Sequence, residues 1–197
     1  MAEIAVAVAG DSISAGSPRW DPDSAVREGI PAPDERSQWQ WWAARADPRL
    51  EFRTTAVYGE RSDEIAQRLH LVLMGADVLV IQGGINDIAQ GRPVEDAARN
   101  LGAMLARGRE AGLRLSVTDV LPWNNGEAEA AAAIVRLNIL IRQLAADVGA
   151  ALLPFHDTLA DPADPRRMGT GLTDDGDHPS VEGHRLLGEQ AFALPRA

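Results

Sequence analysis

The sequence predicts an α/β fold built on a parallel sheet, and three observations carry that expectation. Five short apolar runs recur along the chain, at residues 4–9, 50–55, 78–82, 113–118 and 151–155. Each run is continuous rather than alternating, as expected of strands covered on both faces. Helix-like stretches with recognisable ends separate them: Ser37 and Ser62 are placed to cap, Pro93 suits a first helical turn, and Gly112 and Gly149 stand just past helix ends. Strand and helix in alternation imply right-handed crossovers and a ligand crevice beyond the carboxyl ends of the strands.

Taken in order, the first run leads into Gly10-Asp11-Ser12-Ile13-Ser14, where glycine permits a sharp backbone turn at the strand tip. Residues 15–36 are rich in Pro, Asp and Gly and make a longer connection than a compact strand-to-helix turn needs, so this loop is expected to shape the mouth of a site. Trp39, Trp41 and Trp42 follow on a predicted helix and read as a core stripe. The second run leads to Ala56-Val57-Tyr58-Gly59-Glu60, and the third ends in Gly83-Gly84-Ile85-Asn86-Asp87. After the fifth run comes Asp174-Asp175-Gly176-Asp177-His178-Pro179, where proline favours an extended approach and opens a last helix. Asp11, Ser12, Gly59, Asn86 and residues 175–178 thus fall along one rim. With neither repeats nor linkers, residues 1–197 are expected to form one domain.

Composition removes several chemistries. Cys is absent, so there is no disulfide framework, thiol nucleophile or thiolate metal site. A formal charge of -10 repels phosphate backbones and anionic lipid heads, and no nucleic-acid or membrane partner is expected. No apolar run approaches the roughly 20 residues of a membrane span, and the first residues lack a signal peptide's basic region. A cytoplasmic location is the expectation.

A serine hydroxyl at a strand tip is a weak nucleophile until a neutral base takes its proton, and histidine suits that task. Of the four histidines, His178 has the informative surroundings: Asp175 precedes it by three residues, and Gly176 lets the chain fold a carboxylate back onto the imidazole. Acyl transfer also requires donors for a developing oxyanion. The amide of Ser12, the backbone at Gly59 and the side chain of Asn86 can supply them. His70, His156 and His184 read as structural or exposed. Trp20 and Trp123, in rim loops, are candidates with Asp11 for lining a substrate pocket.

These four segments, in this order, resemble the SGNH, or GDSL, hydrolase superfamily over nearly the whole chain. By resemblance, residues 10–14 are the nucleophile block, Gly59 the oxyanion glycine, residues 84–87 the oxyanion asparagine block, and Asp175 with His178 the Asp-x-x-His block. Ser14 and the pair Thr54-Thr55 depart from residues common in the family. The resemblance implies a three-layer α/β/α sandwich with a flavodoxin-like five-stranded sheet, and ester hydrolysis through Ser12 without a metal or other cofactor. The substrate would be a small-molecule ester, with short acyl groups such as acetyl favoured by the low aromatic content. An acyltransferase, a thioesterase and a non-catalytic binding module remain open on the same scaffold. Taken alone, the three neighbouring carboxylates near His178 also suit a solvated loop or a cation site.

Overall fold

The computed structural model describes residues 3–196, and all five apolar runs form strands: β1 (Ile4–Ala9), β2 (Leu50–Thr54), β3 (Val78–Ile81), β4 (Arg114–Thr118) and β5 (Ala151–Leu153). They are parallel throughout, in the order β2-β1-β3-β4-β5. This is the expected flavodoxin-like order, with its topological switch between β1 and β3. Ala9 pairs with Ile81 at the tips of those two strands, so the loops that follow them start side by side. β5 is shorter than its apolar run because Pro154 brings no N–H to the ladder and introduces a helix instead.

Ten α-helices are described: α1 (Ser12–Ala15), α2 (Ser24–Arg27), α3 (Trp39–Ala46), α4 (Ser62–Arg68), α5 (His70–Leu73), α6 (Ile85–Ala89), α7 (Val94–Glu110), α8 (Ala128–Val148), α9 (Phe155–Leu159) and α10 (Val181–Leu186). The pleat of each central strand divides its side chains between two cores. Ala7, Ala9, Leu79, Ile81, Leu115 and Val117 face α4, α5, α7 and α8, whereas Val6, Val8, Val78 and Val80 face Trp39, Phe155, Leu159 and Leu187 on the other side. Burial on both faces explains why the runs read as continuous. None of the described helices is long and apolar enough to cross a membrane.

Several local expectations need correction. Of the three tryptophans, Trp39 alone is core, with its ring centroid 5.5 Å from those of Phe52 and Phe192 and 5.6 Å from that of Phe155. Trp41 and Trp42 are half-buried and meet edge to face at 4.7 Å, because the helix turns them away from the sheet. Neither expected serine cap caps. Ser37 ends a 3₁₀ turn (Glu35–Ser37), and Ser62 is the first residue of α4, its hydroxyl committed to a buried acid. Gly112 and Gly149 stand where expected, beyond α7 and α8 at φ +77° and +70°, whereas Pro93 precedes the first turn of α7 as its cap residue.

Candidate active site

Ser12 is placed by a clamp between the two switch-point strands. The backbone N–H of Asp11 donates to Gln82 Oε1 at 3.1 Å, and Gln82 Nε2 donates back to Asp11 Oδ1 at 2.8 Å. The approach demands glycine at position 10, since a Cβ there would lie 2.6 Å from Gln82 Oε1. Asp11 Oδ1 also accepts from the N–H of Ile13 at 3.0 Å and so caps α1. This corrects the expectation that Asp11 lines a pocket: it is wholly buried beneath the site. Burial pushes its carboxyl up to about 6, against the bonds from Ile13 and Gln82. Ser12 therefore opens a one-turn helix whose far end is pinned from α3, with Trp39 Nε1 donating to Ser14 Oγ at 3.2 Å and Gln40 Nε2 to Ser14 O at 2.8 Å.

The segment before α10 brings the imidazole to that hydroxyl. Gly176 holds φ +84°, and a Cβ on it would meet Asn125 at 2.6 Å, so the turn accepts only glycine without strain. Asp175 Oδ1 accepts the backbone N–H of Asp177 at 2.9 Å and of His178 at 2.8 Å. Its Oδ2 lies 2.8 Å from His178 Nδ1, and His178 Nε2 lies 3.2 Å from Ser12 Oγ. A carboxylate beside Nδ1 assigns the ring proton there and leaves the Nε2 lone pair facing the serine. Partial burial works against the charge on Asp175, but the bonds from the imidazole and two backbone amides outweigh it and hold the carboxyl below its ordinary value.

The neighbouring carboxylates have other employment. Asp174 pairs with Arg19 at 2.7 Å, tying the long loop to this segment, and Asp177 accepts from Trp123 Nε1 at 2.6 Å and Asn125 Nδ2 at 2.8 Å. Among the described residues, no group of three or more His, Cys, Asp or Glu is arranged to hold a metal ion.

The two remaining expected donors lie on neighbouring segments, Gly59 in the loop after β2 and Asn86 in α6. Val57 N donates to Gly10 O at 3.2 Å, which lays the Gly59 loop along the tip of β1. Asn86, in the first turn of α6, donates from Nδ2 to Glu60 O at 3.0 Å, joining its helix to that loop. Among the described residues, no acceptor takes the backbone N–H of Ser12 or Gly59. Under Asn86, the buried Asp87 accepts from Ser62 N at 2.8 Å and Ser62 Oγ at 2.7 Å, and Asn100 Nδ2 donates to the same hydroxyl at 2.9 Å.

A cavity of about 10 Å³ opens between the tips of β1, β3 and β4, lined by Ile13, Gln82, Ile85, Asp119, Trp123 and Asp177 among others. Trp123, an expected pocket residue, lines it and also borders two open grooves of about 190 and 420 Å³. Trp20 is not among its lining residues; its ring carries the Arg27 guanidinium at 4.5 Å, and its carbonyl accepts from Tyr58 Oη at 2.6 Å. Gln82, Ser62, Asn100 and Asp119 were not singled out as site residues from sequence. Gln82 was visible as the polar end of an apolar strand, a signal that by itself names no partner.

This is the architecture of an ester hydrolase on a flavodoxin-like sheet. The sequence model of the GDSL-like lipase/acylhydrolase family matches residues 8–186, and the chain belongs to that family. Similar solved structures include a G-D-S-L family protein from Desulfitobacterium hafniense DCB-2, with 18% identity and a TM-score of 0.78 over 95% of this chain and 97% of that one. A lipolytic G-D-S-L family protein from Veillonella parvula DSM 2008 shares 17% identity at TM-score 0.74, covering 94% of each chain. The psychrotrophic esterase EstA from Pseudoalteromonas sp. shares 18% identity at TM-score 0.68, over 95% of this chain and 93% of that one. Comparison with curated proteins gave no significant match.

Proposed function

We propose that this hydrolase cleaves carboxylic esters in two steps through an acyl-enzyme on Ser12. The observation that carries the reading is the hydrogen-bonded series from Ser12 Oγ to His178 at 3.2 Å and from His178 to Asp175 at 2.8 Å. Ser12 Oγ attacks the ester carbonyl carbon as its proton passes to His178 Nε2, and Asp175 steadies the imidazolium so formed. The carbonyl oxygen becomes an oxyanion, to which the N–H groups of Ser12 and Gly59 and the Nδ2 of Asn86 donate. Collapse of this adduct breaks the bond to the alcohol oxygen, which takes the proton from Nε2 and departs. Water then gives a proton to the same nitrogen, attacks the acyl carbon, and releases the carboxylic acid as Ser12 regains its hydrogen.

A short acyl group and a larger polar alcohol, such as an acetylated carbohydrate, fit the surroundings best. The cavity beside Ile13 has room for one water-sized group, whereas the grooves flanking Trp123 are open and carry Arg166, Arg167, Glu127 and Asn125. With p-nitrophenyl esters of increasing chain length, the rate is expected to be highest for acetate, and Ser12→Ala is expected to reduce it by about 10³-fold or more with an unchanged circular dichroism spectrum. An undiminished rate in that variant rejects the mechanism; a rate that climbs with chain length rejects the short acyl group. The Pseudoalteromonas esterase was inhibited by monoethylphosphonate, and phosphonate inhibition of this chain, lost in Ser12→Ala, would support the same assignment.

A further inference from the structure

The small cavity beside Ile13 is lined by apolar side chains together with three polar ones, Gln82, Asp119 and Asp177. There Asp119, at the carboxyl end of β4 and only 2% exposed, uses Oδ1 to accept the backbone N–H of His156 at 2.7 Å. Its Oδ2 is buried, and among the described residues no group donates to it. Such an oxygen is costly to leave bare, more so when charged, so a ligand that supplies a donor is selected over one that does not. Across the cavity, Gln82 Nε2 gives one of its two hydrogens to Asp11 Oδ1 and keeps the other.

From this geometry we infer that Asp119 is a specificity-determining residue, which selects short acyl groups bearing a hydroxyl on the carbon next to the carbonyl. The inference rests on the acyl-enzyme reading above. The acyl group stays on Ser12 while the alcohol must leave, so the enclosed cavity suits the former and the open grooves the latter. A hydroxyl carries one hydrogen, which Asp119 Oδ2 accepts, and a lone pair for the free hydrogen of Gln82. Burial pushes the Asp119 carboxyl up to about 6, so at mildly alkaline pH it is the charged acceptor that the hydroxyl meets.

Phenyl glycolate and phenyl propionate test this, because their acyl groups differ by a hydroxyl in place of a methyl of similar size. At about pH 8 the ratio of their kcat/KM values, each divided by the ester's own rate of hydroxide hydrolysis, is expected to favour glycolate by about 10–100-fold. Asp119→Asn, which retains an acceptor for His156 N–H, is expected to bring the ratio within about threefold of one while propionate turnover persists. Asp119→Leu serves the same purpose should the amide variant fail to fold. A wild-type ratio near one overturns the inference, as does a high ratio that survives in the variants. Hydrolysis of neither ester, or hydrolysis that survives Ser12→Ala, overturns instead the acyl-enzyme reading on which the inference stands.

Discussion

Both oxygens of Asp175 serve one loop: Oδ1 ties down two backbone amides, and Oδ2 faces the imidazole. Asp175→Asn keeps the shape of that loop but presents an amide where the ring nitrogen needs an acceptor. The expected result is a fall in kcat of about 10²–10⁴ with little change in KM, read from steady-state kinetics on p-nitrophenyl acetate. That Ser12, Asp175 and His178 would be brought together was legible in the sequence, because each sits in a short segment whose local turn chemistry is informative. Asp119 and Gln82 were not, because what they do depends on partners 37 and 71 residues away. A buried acid at a strand end reads like any polar residue closing an apolar run until the opposite strand is in place.

Among the elements, α4 and α6 are joined at their first turns by the Asp87–Ser62 bonds, and Asn86 rides on that joint. Asp87→Asn leaves one donor of Ser62 unpaired in a buried setting, at a cost of about 1–3 kcal/mol. A lowered melting temperature is expected, with a roughly tenfold loss in kcat and an unaltered KM, because the donor on α6 shifts relative to the reacting carbon. Ser62→Ala should move both quantities in the same direction, because it leaves an oxygen of Asp87 and the amide of Asn100 without that hydroxyl. Strands were the elements most easily foreseen, since a doubly covered parallel sheet must be apolar at every position. Helix starts were harder: Ser62 has the residue type of a cap, but a long-range acid competes for its hydroxyl. Likewise, residue type alone could not separate Trp39 from Trp41 and Trp42, because only the packed sheet decides which indole turns inward.

At the scale of the molecule, buried titratable groups set how the fold responds to acid. His184 in α10 is wholly buried, and burial lowers its pKa to about 3, well under the ordinary value for histidine. The native state therefore stays unprotonated there while the unfolded chain takes up a proton below about 6.5, so stability present above that pH is lost as pH falls toward 3. At pH 4 this one residue costs about 3 kcal/mol relative to neutrality. His184→Leu is expected to move the acid-unfolding midpoint, followed by circular dichroism, to lower pH than in the wild type. Asp11 and Asp119, each raised to about 6, act with the opposite sign and favour the fold as pH falls from 6 toward 4; the difference between variant and wild type isolates the histidine.

The hydroxyl and the imidazole that meet at the rim are separated by 166 residues of chain. At translation speeds of about 5–20 residues per second, the serine emerges from the ribosome roughly 8–33 s before the histidine does. On the proposed mechanism the nascent polypeptide carries an inert alcohol throughout that interval, and the general base follows only after all five strands have been synthesised.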